Sequence, residues 1–130
     1  MENSILISTK KNLGLEPDYT PFDLDVITFI NAAFSTLEQL GIGPVGGFSI
    51  EDNTATWSEF MGDDARYNAV KSYVYLRVRM LFDPPTTSFV LEAMNNQLRE
   101  LEWRLNVVRE GDLLDAPVLP EDVILDGGGP

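Results

Sequence analysis

The chain reads as a mainly α protein: a small bundle of about four helices with a short β-hairpin or loop insertion, followed by an extended C-terminal arm. Three observations point there. Apolar residues recur at three- and four-residue spacing across 21–40, 64–82 and 88–110. Glycine and proline cluster between those stretches. The 130 residues are 44% hydrophobic, enough for one buried core, yet no apolar run nears the roughly 18 residues of a membrane-spanning helix. The expected division is a helical domain over 1–110 and an acidic arm over 111–130.

Ser4 is placed to cap a first helix, Ile5 to Leu13, with Leu6 and Leu13 seven residues apart on one side. Gly14 then Leu15 is the pattern of a helix stop with its hydrophobic clip. The second helix has a stronger start. Thr20 supplies a capping hydroxyl, Pro21 suits the first helical position, and Asp23 and Asp25 fall where the helix dipole favours carboxylates. From there Phe22, Val26, Phe29, Ile30, Ala33, Leu37 and Leu40 form one apolar face, ending at Gly41.

Residues 41–63 change character. Gly41, Gly43, Pro44, Gly46 and Gly47 forbid a helix, and Phe48, Ile50, Ala55 and Trp57 flank a turn-like Glu51-Asp52-Asn53-Thr54. A small hairpin is expected, leaning on the helices because two strands alone are unstable in water, with Glu51, Asp52 and Asn53 projecting at its tip.

Asp63 or Asp64 opens a third helix that Asp83-Pro84-Pro85 stops at Phe82, since the residue before proline avoids helical geometry. It carries two apolar stripes, Tyr67, Val70, Val74, Val78 and Leu81 on one side and Ala65, Ala69, Tyr73, Leu76 and Met80 on the other. A helix buried on two sides belongs at the centre of the bundle. Arg66 and Arg77 fall between or within the stripes, and either close ion pairs inside the chain with their stems packed or bridge to a neighbouring subunit.

Thr86, Thr87 or Ser88 caps a fourth helix expected to stop at Gly111. Val90, Met94, Leu98, Leu101, Leu105 and Val108 give it a coiled-coil-like seam. Phe89, Asn96 and Trp103, spaced by sevens, lie on a different side with Ala93 and Val107. Trp103 is thus either packed on a second helix or an exposed anchor of the kind enriched at interfaces. The tail has three prolines and three glycines after Gly111, no base, and the apolar pairs Leu113-Leu114 and Val118-Leu119. It reads as an arm laid on another surface.

Charge is unevenly spread. The net of −12 divides into 11 acids against 2 bases over residues 1–65, 4 against 7 over 66–109, and 6 acids with no base over 110–130. An acidic N-terminal half and basic central helices could meet between copies and fix their register. The overall sign argues against a conventional nucleic-acid binder or a protein drawn to anionic membranes. With no cysteine and no histidine, the usual disulfide, zinc, thiol and triad chemistries lose their residues. The carboxylate pairs Asp23/Asp25, Glu51/Asp52, Asp63/Asp64, Glu100/Glu102 and Glu121/Asp122 sit at helix starts, turns and surfaces rather than in the alternating register of a calcium loop. Gly41-Ile-Gly-Pro-Val-Gly-Gly follows a helix and contains proline, unlike a dinucleotide loop. No catalytic, cofactor or metal site is expected. The first residues lack the basic start of a signal peptide, so the chain is expected to stay where it is made.

The Lys71-x-Tyr73-Val74 segment, the Phe82-Asp83-Pro84-Pro85 break and the Glu102-Trp103-Arg104-Leu105 ending resemble the head–tail connector, or head-completion adaptor, proteins of long-tailed, non-contractile bacteriophages. Trp57-x-x-Phe60 and the amphipathic helix over 21–40 extend the resemblance to about residues 4–109. It implies a virion protein, assembled in the host cytoplasm, that docks beneath the portal protein as a ring, commonly of twelve copies. DNA would pass through the ring without specific binding, and a stopper or tail-completion protein would attach below. On that reading Arg66, Arg77, Phe89, Trp103, Val107, Leu113, Leu114, Val118 and Leu119 are the candidate subunit or partner interface. An acidic DNA mimic, inhibiting a DNA-binding partner, is the alternative; the net positive charge of the two central helices speaks against it.

Overall fold

The computed structural model describes the backbone of residues 3–62 and 67–115, and the side chains of 3–62 and 68–106. Five helices follow in order among these residues: α1 (Ile5–Asn12), α2 (Asp23–Gln39), α3 (Trp57–Met61), α4 (Tyr67–Phe82) and α5 (Ser88–Asp115).

Helix α1 begins as its sequence indicates. The extended Ser4 accepts the Ile7 N–H on its hydroxyl at 3.2 Å and donates the same hydroxyl to the carbonyl of Asn53 at 2.8 Å. At the other end Gly14 takes a positive φ, the Leu15 N–H reaches the Lys10 carbonyl at 2.8 Å, and the Gly14 N–H reaches Lys11 at 3.0 Å. Those two bonds close the helix in the Schellman manner and fold Leu15 back against the core. Eight residues are too few to hold a helix alone. Burial of Ile5 and Leu6 holds this one.

Helix α2 starts two residues later than Thr20-Pro21 suggests. The N–H of Asp23 bonds to the Thr20 carbonyl at 3.1 Å, and Phe22, in the N-cap position, makes no side-chain cap. Tertiary contacts account for the shift. Asp23 pairs with the Lys10 ammonium at 2.8 Å, and the Phe22 ring lies between Tyr19 and Phe82. Beyond this start the apolar face behaves as read: Val26, Ile30, Ala33 and Leu37 are fully buried.

The expected hairpin is absent; residues 41–56 are a loop, with one antiparallel bridge, Ser4 to Thr56, outside any strand. The reason is a side chain from α2. Asn31 donates to the carbonyl of Ile50 at 3.0 Å and accepts its N–H at 2.8 Å, doing for Ile50 what a partner strand would have done. Trp57, expected beside that hairpin, instead opens α3. There Thr56 and Glu59 form a reciprocal capping box, the Thr56 hydroxyl accepting the Glu59 N–H and the Glu59 carboxylate accepting the Thr56 N–H at 2.7 Å. Trp57 is wholly buried and donates its indole N–H to Ser8 at 2.8 Å, while Phe60 stacks on Phe34 at 4.5 Å. This short turn therefore ties α1 to α2.

Helix α4 is central, packed on α2 and α5, with Val70, Tyr73, Val74 and Val78 buried. Its described part begins at Tyr67; the expected opening at Asp63 or Asp64 lies outside the described residues. Leu81, placed in an apolar stripe by its spacing, is instead 47% exposed.

Helix α5 runs antiparallel to α4. Tyr73 is level with Glu102, to which it is hydrogen-bonded, and Leu81 is level with Asn95 across a shared cleft. That register explains which seam residues are buried. Leu98 and Leu105 are buried and Leu101 packs on the core, but α5 begins fourteen residues before Glu102 while α4 ends only nine after Tyr73. The first turn of α5 therefore overshoots α4 by about 7 Å, and Val90, a seam residue by spacing, is exposed with Leu91. The helix also continues through Gly111 to Asp115. A glycine inside a helix costs about 1 kcal/mol, whereas the stop that does forbid continuation, Pro117, lies further on. The first five residues of the expected arm are accordingly helical. Residues 116–130 lie outside the described residues.

Candidate assembly surfaces

Several polar groups hold the fold. Asp23 neutralises Lys10, Glu59 completes the α3 cap, and Asp52 accepts both the N–H and the hydroxyl of Thr54 at 2.9 and 2.6 Å. The Thr54 hydrogen bonds, which favour the charged form, hold the Asp52 carboxyl below its ordinary value. Among the described residues no group of three or more potential ligands is close enough to hold a metal ion, and no helix is long and apolar enough to cross a membrane.

One polar cluster is partly enclosed. The buried Tyr73 donates its hydroxyl to Glu102 at 2.7 Å. Arg77 donates to the same hydroxyl at 3.4 Å, lies 3.8 Å from the Glu102 carboxylate and stands 5.9 Å from the centre of the Tyr73 ring. Burial first, and then the bond to Glu102, push the Tyr73 hydroxyl well above its ordinary value, against the opposing pull of Arg77. A phenol held this firmly protonated is a donor joining α4 to α5, not a base. Of the two roles open to Arg77, the pairing inside the chain is realised.

The residues expected at an interface divide by place. Phe89 and Trp103 are 84% and 67% exposed on the outer side of α5, with Ala93 and Asn96 exposed between them. Among the described residues, Trp103 is thus not packed on another helix. Val107, Leu113 and Leu114 belong to the same helix, although their side chains are outside the described set, and Arg66, Val118 and Leu119 lie outside the described residues altogether. Glu51, Asp52 and Asn53 are exposed, but their loop is pinned to α1 by the Ser4 hydroxyl.

A feature not foreseen from spacing lies where the start of α2 meets the end of α4. Phe22, Asp25, Phe29, Leu81, Phe82 and Asp83 line an open cleft of about 510 Å³. Phe22 meets Phe82 edge-on at 5.3 Å and is itself 39% exposed. Two chain breaks, Thr20-Pro21 and Asp83-Pro84-Pro85, each leave an aromatic at a helix end. That was the available signal, and only folding brings the two ends together.

The outer side of this helical bundle carries large exposed aromatics, a residue type enriched where proteins meet. The phage connector protein family matches residues 5–112, and the chain belongs to that family. No curated protein and no solved structure matches it. Membership makes this a structural protein of the virion, a head–tail connector that assembles with other phage proteins.

Proposed function

We propose that the chain is the adaptor subunit that docks as a ring under the portal protein, extends the DNA channel and offers the attachment surface for a stopper or tail-completion protein. The observation that carries this reading is the family match across residues 5–112, which spans all five helices nearly to their end. Two features support it. The exposed aromatics of α5 suit a contact with another molecule, and the uneven charge suits a heterologous one, in which two different patches meet and the rotation closes. A net charge of −12 also suits a conduit, since acidic walls let the DNA backbone slide whereas basic walls would grip it. Mass measurement of the purified protein, alone and mixed with portal-bearing heads, tests the proposal. A closed ring formed on heads is the expected result. Binding to a DNA-processing enzyme with no affinity for heads would refute it and favour the DNA mimic.

A further inference from the structure

We infer that the cleft between the start of α2 and the end of α4 is the socket for Trp103 of an adjacent copy of this chain, with Arg99 of that copy set against Asp25 and Asp83. This rests on the proposed ring and specifies its subunit contact. The socket is apolar at its floor, through Phe22, Phe29, Leu81 and Phe82, and acidic at its rim, where Asp25 and Asp83 are exposed and none of the described residues that line the cleft is basic. At about 510 Å³ it falls within the size range of sites that enclose small aromatic groups.

The knob is chosen by charge. Two aromatics project from the outer side of α5, and both are large enough to fill the socket. One helical turn before Trp103 stands Arg99, exposed, its guanidinium held toward Asn96 at 2.5 Å. One turn after Phe89 stands Glu92, also exposed. Glu100, also one turn before Trp103, is exposed but paired with Arg104 at 2.5 Å, so on entering a socket rimmed by Asp25 and Asp83 Trp103 brings the cation of Arg99, whereas Phe89 brings a third carboxylate. Complementarity of this kind selects partner and register.

Trp103 cannot reach the cleft of its own chain. Leu98 and Leu105, on either side of it in sequence, are buried toward α4, so Trp103 is fixed on the outward side of a continuous helix. The cleft lies beyond Leu81, level with Asn95 or farther along, about 12 Å away along the helix axis. Knob and socket are therefore different patches on one chain that can be satisfied only between copies. A head-to-tail contact of that kind repeats from copy to copy and closes into a ring where the rotation permits.

Assembly on portal-bearing heads, measured by mass, tests the contact with five variants whose monomer folding is checked by circular dichroism. Trp103→Ala and Arg99→Glu should each raise the concentration needed for assembly at least tenfold, as should the double variant Asp25→Lys/Asp83→Lys, with the helical signal unchanged. Combining Arg99→Glu with Asp25→Lys/Asp83→Lys should restore assembly, which a merely structural role for any of these residues would not do. Normal assembly by Trp103→Ala, failure of the combined variant to recover, or loss with Phe89→Ala in place of Trp103→Ala would overturn the inference while leaving the ring itself standing. If the unmodified chain forms no ring on heads, both the ring and this contact are refuted.

Discussion

Replacing Lys10 with methionine removes a charge that the fold has enclosed completely. The Lys10 side chain is 1% exposed, with its ammonium 2.8 Å from Asp23 and 3.0 Å from the Pro17 carbonyl, which ties the end of α1 to the loop and the start of α2. Methionine keeps the length of the stem, so the loss is chiefly electrostatic. Breaking a fully buried ion pair costs about 3–5 kcal/mol, because the remaining charge stays desolvated. The Asp23 side chain retains 26% exposure and will recover part of its hydration, although its Oδ1, the oxygen that faces the Lys10 ammonium, is itself buried. The expected loss is therefore about 2–3 kcal/mol, below the range for a sealed pair. Urea unfolding followed by the fluorescence of the buried Trp57 measures it, as a lower midpoint with unchanged slope. Adding Asp23→Asn to Lys10→Met should return stability to within about 1 kcal/mol of the parent, because no unpaired charge then remains. A single variant that loses less than about 0.5 kcal/mol, the scale of an ordinary surface substitution, would refute the staple. A double variant no better than the single would show that packing, not charge, was lost.

Other substitutions test other joints. Asn31→Leu leaves the N–H and carbonyl of the buried Ile50 without their partner and should cost about 2–4 kcal/mol in the same unfolding assay. Gly43→Ala demands a positive φ and sets its new carbon 2.7 Å from the Phe60 ring, so it should cost about 2–4 kcal/mol; Gly46→Ala, with a similar φ and open space, should cost about 1–2 kcal/mol. Because the folded chain raises the pKa of Tyr73, its contribution is complete below the ordinary tyrosine value of about 10 and is lost as pH climbs above that. Stability measured from pH 8 upward should fall less steeply in Tyr73→Phe than in the parent, and an identical slope would mean that Tyr73 titrates normally.

What could be read in advance was whatever local chemistry decides. The Ser4 cap and the Gly14-Leu15 stop involve residues within one helical turn, and both form as their spacing indicates. The outward side of α5 was half legible: periodicity sets Phe89 and Trp103 off the apolar seam, but whether Trp103 packs on a second helix depended on the tertiary arrangement. Readings failed where a distant group supplied the decisive contact. Thr20 loses the start of α2 because Asp23 and Phe22 answer to Lys10 and Phe82. The hairpin gives way because Asn31 reaches Ile50 from nineteen residues away. Helix α3 is a different case: Thr56-x-x-Glu59 is a capping-box signature in plain sight, but five residues are too few for periodicity to announce a helix.

The mismatch in length between α4 and α5 links the fold to its role. Sixteen residues of α4 can cover about 24 Å of its partner, while twenty-eight residues of α5 extend about 42 Å. Since Tyr73 and Glu102 fix the register, the surplus must project at both ends, and the first turn of α5 cannot be covered by α4 however well the rest packs. Within the paired region the seam is satisfied by Leu98 and Leu105, so the aromatics on the opposite side contribute little to the stability of the single chain. Substitutions on that outer side should consequently alter assembly without altering the urea midpoint, whereas seam substitutions such as Leu105→Ala should lower the midpoint by about 2–5 kcal/mol and affect assembly only through folding. A helix that serves its own bundle with one face and other molecules with the other lets the two properties vary separately. Equal losses of stability from Trp103→Ala and Leu105→Ala would show that no such separation exists.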